Sequence, residues 1–369
     1  QFFPLWLTRV FGPFNALFSS FLGFCIPLII LGLIVAGIAE MGQGAGRMLL
    51  ITVCLAYGFT LLAGFGTWGI ASATYPWLLG GASLSELDTQ AVEVLPYFTI
   101  EMPPLMGVTA ALVLAFILGL TIPAVAAGGT MHRFFDDFKE VVTRVIVRVI
   151  IPLLPLYIFG VFLIMTVGGQ IVVVVSVFLK IILFLFVLTM LMLLVQFTIA
   201  GIVSKRNPLK LLWTMMAAYV TALGTSSSAA TIPVTLRSAI KTGVQPAVAN
   251  FVIPLCATIH LSGSTIKITG LALAMMMLSG MPVDAGVMAG FIMMLGVTMV
   301  AAPGVPGGAV MAALGLMSGI LGLGEAQTGL IIAIYLAIDS FGTATNVTGD
   351  GAIANIIDTI WRNKHETRQ

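Results

Sequence analysis

A segment near the carboxyl end of the chain carries polar side chains at helical spacing. The segment spans residues 335–357 and is largely apolar. Its polar residues follow one another at intervals of four, three and four, and at about 3.6 residues per turn they share one helix face. A carboxylate in hydrocarbon is costly unless it meets a partner, an ion or water, so a stripe with two carboxylates indicates a site for a cation and a polar solute in a membrane. The stripe consists of Asp339, Thr343, Asn346 and Asp350.

The composition indicates that the elements carrying this stripe are membrane helices. Of the 369 residues, 59% are hydrophobic and 8% are charged, whereas roughly a quarter are charged in soluble domains. We read none of the apolar runs as a removable signal peptide, because the first is too long and no basic stretch precedes it. Five runs in the first half reach the length of a span, which is about 20 residues. They are residues 21–39, 48–71, 105–127, 145–167 and 171–203.

The basic residues indicate which loops face the cytoplasm. Twelve of the sixteen lysines and arginines fall within residues 133–148, 205–241 and 362–368. The positive-inside rule makes these clusters cytoplasmic, with the carboxyl terminus, and makes the acidic segment 81–95 external. Counting three spans back from Arg133 places the first residue outside, so we expect an upstream helix in the full-length protein.

The second half does not consist of simple spans, because four polar or glycine-rich stretches interrupt its apolar runs. About 26 residues separate Lys210 from Arg237, too few for two crossings, so this segment enters part way and returns. Residues 283–325 follow the same pattern from the external side. We expect two re-entrant hairpins, each followed by an interrupted helix, around a polar cavity typical of secondary transporters. The interruptions are residues 224–231, 258–264, 302–308 and 342–351.

Both hairpin tips admit a functional and a structural interpretation. At the first tip, Ser226, Ser227 and Ser228 offer hydroxyls and amides to a carboxylate, or they form a small-residue turn for close packing. At the second tip, residues 303–308 combine rigid prolines with free glycines, which suits a gate, although a simple loop is the alternative. The pairing of two such tips favours the functional interpretation.

The first interrupted helix contains two notable side chains. Unwound carbonyls near Thr258 suit a small hard cation. His260 is either a structural hydrogen-bonding group or a carrier of coupled protons. Lys267, one turn beyond Ser264, either lies near the substrate or pairs with Asp339, since snorkelling would have to reach a polar cavity.

Four motifs together resemble the dicarboxylate and amino acid:cation symporters, which include the glutamate transporters and the archaeal aspartate transporters. The resemblance covers about residues 12–358 and implies an all-α membrane protein with two re-entrant helical hairpins and two broken helices. The first helix of the family is absent from this sequence. In chain order the motifs are TSSSAATIPVT, IPLCATIHLSG, GVPGG and NVTGD.

The resemblance also implies a homotrimer whose protomers each have a static scaffold and a moving transport domain. In this elevator motion the second hairpin is the outer gate. The scaffold would comprise residues 12–45 and 91–168, and residues 46–80 would join the transport domain. The rest of that domain would be helix 170–203, hairpin one 208–237, broken helix 245–279, hairpin two 283–323 and last helix 326–358.

Residue by residue, the resemblance implies a substrate site and two sodium sites. Asp339 would bind the substrate amino group and Asn346 its carboxylate. The substrate site would further include Ser226, Ser227, Ser228, Ser264, Lys267, Val305, Gly307, Gly342 and Thr343. Asp350 with carbonyls near Cys256, His260 and Asn346 would bind one sodium ion, and backbone around Thr258, Met299, Val300 and Ala302 another.

Departures from the family pattern bear on the substrate. Members that take acidic amino acids have an arginine where this chain has Gly342, supported by an acidic residue where it has Tyr335. Their absence favours a neutral amino acid, and the volume left by glycine allows a bulky one. Lys267 keeps open an acidic amino acid, a dicarboxylate or cystine.

A second departure bears on the coupled ions. The third sodium site of the family uses an asparagine and an aspartate where this chain has His260 and Ser262. We therefore predict fewer than three sodium ions, with proton coupling through His260 as an addition. Uptake that does not vary from about pH 5.5 to about pH 8 at fixed sodium would exclude the proton.

The overall prediction is a multi-pass symporter of a prokaryotic plasma membrane, with a cytoplasmic carboxyl terminus. Its partners are the amino acid, sodium and lipid, without an organic cofactor or nucleic acid. A second hypothesis is an intramembrane serine hydrolase that pairs one of the tip serines with His260. A third is a channel, which would not accumulate solute against its gradient.

Overall fold

The computed structural model describes residues 5–36, 39, 47–80, 100, 102–126, 128–167, 171–302 and 306–366, and within these residues the regular elements are all helices. Four helical stretches are long and apolar enough to cross a membrane, and a fifth forms if one bent pair is counted as a single span. They are Arg9–Val35, Met48–Leu78, Val175–Ser204 and Pro246–Leu278, and the bent pair is Gln327–Ala337 with Asp339–Arg362. The chain is therefore a multi-pass helical membrane protein.

The described residues of the first half form six α-helices. The first, α1, continues into a π-helical turn at Leu31–Val35. A second π-helical turn, Ile146–Ile150, joins α4 to α5 without a break. The sequence predicted a span over residues 145–167, whereas the continuous helix formed by α4 and α5 begins at Thr130. The helices are α1 Leu5–Ile30, α2 Arg47–Leu78, α3 Val108–Ala126, α4 Thr130–Val145, α5 Ile151–Val167 and α6 Ile171–Ser204.

Helices α7 (Pro208–Thr225) and α8 (Ser228–Lys241) form a helical hairpin. Asn207 begins it, because its side chain accepts hydrogen bonds from the amides of Leu209 and Lys210 and Pro208 occupies the first helical position. At the tip, Ser226 adopts the left-handed conformation with φ of 48°. Ser227 then caps α8, accepting a hydrogen bond from the amide of Ala230.

Helices α9 (Pro246–Ile259) and α10 (Ser262–Leu278) form the first interrupted helix. Extended backbone at His260 ends α9, and only His260 and Leu261 separate the two helices. The interruption is therefore shorter than the predicted stretch 258–264, and Thr258 is helical. Every residue from Ser262 to Met276 is buried, as expected for a helix enclosed by protein on all sides.

Helices α11 (Ala285–Ala301) and α12 (Gly308–Gly319) form a second helical pair. Asp284 caps α11 by accepting a hydrogen bond from the amide of Val287. Residues 303–305 of the tip, including Val305, lie outside the described residues. Gly307 precedes α12 with φ of 73°, a conformation that glycine adopts without strain.

Helices α13 (Glu325–Ala337) and α14 (Asp339–Glu366) form the second interrupted helix, with a bend of 64° between them. The break lies at Ile338. Our prediction of an interruption at residues 342–351 was wrong in position, because this stretch is continuous helix within α14. Helix α14 packs against α6, α7, α8, α9 and α10, and these contacts place its polar stripe inside the protein.

Candidate functional site

Asp339 is the first residue of α14, immediately after the break at Ile338. Its side chain pairs with Lys267 of α10, with 3.0 Å between Asp339 Oδ1 and Lys267 Nζ. The side chains are only 8% and 1% exposed, respectively. Two charges buried to this extent are tolerated only when each has a partner. The structure thus brings together the two residues for which the sequence left pairing as one of two possibilities.

Lys267 has further partners at the break. Its Nζ lies 3.3 Å from the carbonyl oxygen of Asp339 and 3.4 Å from that of Ile338. The same atom lies 3.8 Å from the ring centroid of Tyr335, a cation–π contact. The lysine is therefore held against the break by oxygen atoms and by an aromatic face, in addition to the carboxylate.

The lysine also occupies the space beside Gly342. A Cβ atom at this position would collide with the Cε and Nζ atoms of Lys267. A side chain at position 342 would therefore require the end of the lysine side chain to shift. In this structure Lys267 thus fills the volume beside Gly342 that we expected to be free.

The second oxygen of Asp339 contacts the tip of the α11–α12 pair. The amide of Gly307 donates a hydrogen bond of 2.7 Å to Asp339 Oδ2. Asp339 therefore connects three parts of the structure, namely α10, α14 and the tip before α12. Thr343, one turn later, donates to the backbone carbonyl of Asp339 rather than into the site.

Asn346 lies next along the stripe and is also bonded to the chain. Its Oδ1 accepts from the amide of Gly263 at 2.8 Å, and its Nδ2 donates to Ser264 Oγ at 3.1 Å. Ser264 Oγ in turn accepts from the Tyr335 hydroxyl at 3.0 Å. A substrate carboxylate bound at Asn346 would therefore share the side-chain amide group of Asn346 with Ser264.

The fourth residue of the stripe, Asp350, belongs to a separate network. His260 Nδ1 lies 2.9 Å from Asp350 Oδ1, and His260 Nε2 lies 3.0 Å from the side-chain amide nitrogen of Gln196. Gln196 also donates to Ser262 Oγ at 3.1 Å. The serine hydrolase hypothesis needs a contact between His260 as the base and a tip serine as the nucleophile. Both ring nitrogens of His260 are instead engaged by Asp350 and Gln196.

Two oxygen atoms of this network have no hydrogen-bond partner among the described residues. They are Asp350 Oδ2 and Gln196 Oε1, both fully buried. A buried polar atom without a partner costs about 1–3 kcal/mol. Carboxylate and carbonyl oxygens are the ligands of small hard cations. The two unpartnered oxygens beside Asp350 therefore fit a small hard cation such as sodium.

The predicted backbone ligands lie at the ends of helices. Cys256 and Thr258 belong to the last turn of α9, and Met299 and Val300 to the last turn of α11, with Ala302 just beyond. The final carbonyls of a helix lack intrahelical partners and form the negative end of its dipole. Helices α9 and α11 contact each other. At their carboxyl ends, the carbonyls of Cys256 and Met299 accept hydrogen bonds from the amides of His260 and Ala302.

The tip serines lie at the amino end of a helix rather than at a carboxyl end. Ser226 and Ser227 are half-buried and Ser228 is buried at the start of α8, whose amides form the positive end of a dipole. Hydrogen bonds within the tip fix its shape, with Thr225 Oγ1 and Thr231 Oγ1 3.1 Å apart. Helix α8 packs against α14, which carries Asp339 and Asn346.

Sequence reasoning missed Gln196. It is fully buried in α6 and contacts both His260 and Ser262. The signal was available, since a single amide within the long apolar run of α6 needs a partner inside a membrane. Tyr335 was noted as the loss of an acidic residue, whereas the structure shows that its ring faces Lys267 and its hydroxyl contacts Ser264.

These observations define a class of protein: a helical membrane transporter, in which interrupted helices surround buried charges and unpaired oxygens. The sequence model of the sodium:dicarboxylate symporter family matches residues 1–360. The chain belongs to this family, whose members are transporters rather than enzymes.

Individual relatives agree with this assignment. The chain is 26% identical over 366 residues to the serine/threonine transporter SstT of Acinetobacter baumannii strain AYE, covering 95% of this chain and 91% of that protein. It is 28% identical over 167 residues to excitatory amino acid transporter 2 of Homo sapiens. That second match covers 45% of this chain and only 29% of the human protein.

Proposed function

We propose that this protein couples the inward movement of sodium to the uptake of a neutral amino acid. The observation that carries the proposal is the position of Asp339 at the break between α13 and α14, in contact with Lys267 and with Gly307. A buried carboxylate at the meeting point of three elements is the natural acceptor for a substrate ammonium group. Family membership and the two named relatives support sodium-coupled amino acid transport.

The charge of the site favours a neutral substrate. Lys267 and Asp339 compensate each other, so the pocket carries no net charge before an amino acid enters. A zwitterion with an uncharged side chain preserves that balance, whereas an acidic amino acid adds a buried negative charge that needs a further cation. An acidic amino acid, a dicarboxylate or cystine remains the alternative, with Lys267 as the cation.

Sodium would bind at Asp350 and at the carboxyl ends of α9 and α11. The support for this part is the unpartnered Asp350 Oδ2 and the negative dipole ends at the carboxyl termini of α9 and α11. We propose fewer than three sodium ions, because His260 and Ser262 are bonded to Gln196. Those side chains stand where relatives of the family have a further sodium site.

Transport would follow an elevator motion in a homotrimer of the plasma membrane, with the carboxyl terminus cytoplasmic. The pair α11–α12 would be the outer gate, since Gly307 at its tip contacts Asp339 directly. A cavity of about 440 Å³ lies between α1, the segment around residues 102–106, α12 and α13. Loose packing between α1 on one side and α12 and α13 on the other supports sliding of the proposed scaffold past the proposed transport domain.

The test is a screen of ligands on the purified protein, with and without sodium. A ligand that binds the folded state raises the thermal midpoint by mass action, so neutral amino acids should stabilise the protein only when sodium is present. Uptake into proteoliposomes should then saturate and accumulate the same amino acid against its gradient, which separates a carrier from a channel. Stabilisation by aspartate or succinate alone would contradict the neutral substrate.

A further inference from the structure

An ammonium group of the chain itself occupies the carboxylate that the proposed function assigns to the substrate ammonium. Lys267 Nζ lies 3.0 Å from Asp339 Oδ1, and Gly307 donates to Asp339 Oδ2. Both oxygens of Asp339 are thus engaged by the protein. An amino acid that binds Asp339 must therefore compete with Lys267, and the fate of the lysine during binding affects which amino acids bind.

We propose that Lys267 is the resident counter-ion of Asp339 and the residue that selects the substrate side chain. This inference rests on the proposed function. The substrate ammonium takes the place of Lys267 on Asp339, and Lys267 then donates to an oxygen on the substrate side chain. The site consequently prefers amino acids with an acceptor oxygen on Cβ, such as a hydroxyl, over aliphatic amino acids of equal size.

The surroundings of Lys267 keep it beside Asp339 when the ion pair opens. Two backbone carbonyls at the break lie within 3.4 Å of Nζ, and the face of Tyr335 lies 3.8 Å from it. These contacts do not involve the carboxylate of Asp339. The lysine can therefore release Asp339 without leaving the site, and it stays close to any ligand that Asp339 holds.

Because Gly342 has no side chain, the end of Lys267 lies directly against α14, beside the polar stripe. Lys267 Cε and Nζ cover Gly342, one turn from Asp339 and from Asn346 on the same helix. A ligand held between Asp339 and Asn346 lies next to this position. Its side chain therefore meets the ammonium group of Lys267 rather than an apolar wall.

The chemistry of a buried ammonium group explains the selection. Once its carboxylate is taken, Lys267 retains only carbonyl and aromatic partners, and a buried charge with too few partners is costly. A substrate hydroxyl adds an acceptor, whereas a methyl group in the same place adds none. A hydrogen bond to a charged group corresponds to about ten- to hundredfold in affinity.

Threonine and valine test the inference, because they differ by a hydroxyl against a methyl group at nearly constant shape. We would titrate L-threonine and L-valine into the purified full chain at saturating sodium and follow the thermal midpoint. The wild type should bind threonine about ten- to hundredfold more tightly than valine. In Lys267→Met this ratio should fall to about one, and valine should bind at least as tightly as to the wild type, because it no longer competes with a lysine.

The control is Lys180→Met, which removes an exposed lysine of α6 and should leave the ratio unchanged. If Lys267→Met does not fold, Lys267→Gln retains a hydrogen-bond donor for Asp339 and should lower the preference for threonine to a few-fold. A wild type that binds valine as tightly as threonine would overturn the inference. So would a Lys267 variant with an unchanged ratio. A wild type that no amino acid stabilises would instead contradict the proposed function.

Discussion

Asp339 and Asp350 lie on one face of the same helix, yet their carboxylates have different hydrogen-bond partners. Both oxygens of Asp339 have donors, one from the ammonium group of Lys267 and one from the amide of Gly307. Asp350 meets a single side chain, His260, and its second oxygen has no partner among the described residues.

The difference teaches that identical residues on one stripe can serve different ligands because neighbouring helices supply different partners. A carboxylate already paired with a lysine ammonium group is suited to exchange that group for another ammonium group. A carboxylate with a free oxygen near helix carboxyl ends is suited to a small hard cation. Four substitutions test this division, in order of decreasing expected effect.

Asp339→Ala should have the largest effect, because it leaves Lys267 buried without its carboxylate. We expect a loss of about 3–5 kcal/mol in the free energy of unfolding, together with loss of uptake. Thermal unfolding and proteoliposome uptake measure the two effects. The double variant Lys267→Met with Asp339→Leu should recover most of the stability without uptake, and if it is as unstable as the single variant, the ion pair is not the cause.

Asp350→Asn should abolish the stabilisation of the protein by sodium. The substitution removes the charge that a cation needs, while the loss of the charged hydrogen bond to His260 costs about 1.5–3 kcal/mol. The measurement is a sodium titration of the thermal midpoint. Asp284→Asn is the matched control, since Asp284 is an exposed capping residue, and a sodium response that survives in Asp350→Asn would remove Asp350 from the sodium site.

Gly342→Ala should destabilise the protein by about 1–3 kcal/mol, because its Cβ would collide with Lys267. Thermal unfolding of the variant checks this value. Gly290→Ala is the control, since a Cβ at Gly290 meets no atom within 4 Å. Adding Lys267→Ala to Gly342→Ala should relieve the collision, and equal effects of Gly342→Ala with and without the lysine would exclude this contact.

Gln196→Met should have the smallest effect, about 1 kcal/mol in stability, because it removes neutral hydrogen bonds to His260 and Ser262. It should change the sodium concentration for half-maximal uptake but not the ratio of threonine to valine. Thr198→Val, on the exposed face of α6, is the control. A changed amino acid preference in Gln196→Met would show that the two regions are not separate.

Helical spacing was enough to predict the stripe, and polar and glycine residues were enough to predict an interruption near His260, because both features depend on local sequence. The pairing of Lys267 with Asp339 was only one of two possibilities, because it joins residues of two different helices. The sequence placed the break at 342–351 rather than at Ile338, because the glycines and polar residues of that stretch suggest a loop. In the structure the stretch is helical and packs against several other helices. Gln196 and the filled space at Gly342 depend on contacts across elements distant in sequence, which spacing does not report.

The hydrogen bond from Gly307 to Asp339 couples the tip of the α11–α12 pair to the proposed ligand site in one equilibrium. Thermodynamic linkage is reciprocal: if a ligand on Asp339 changes the equilibrium of the tip by some factor, holding the tip changes the affinity for that ligand by the same factor. A cross-link or antibody that fixes the tip should therefore change the apparent affinity for the amino acid.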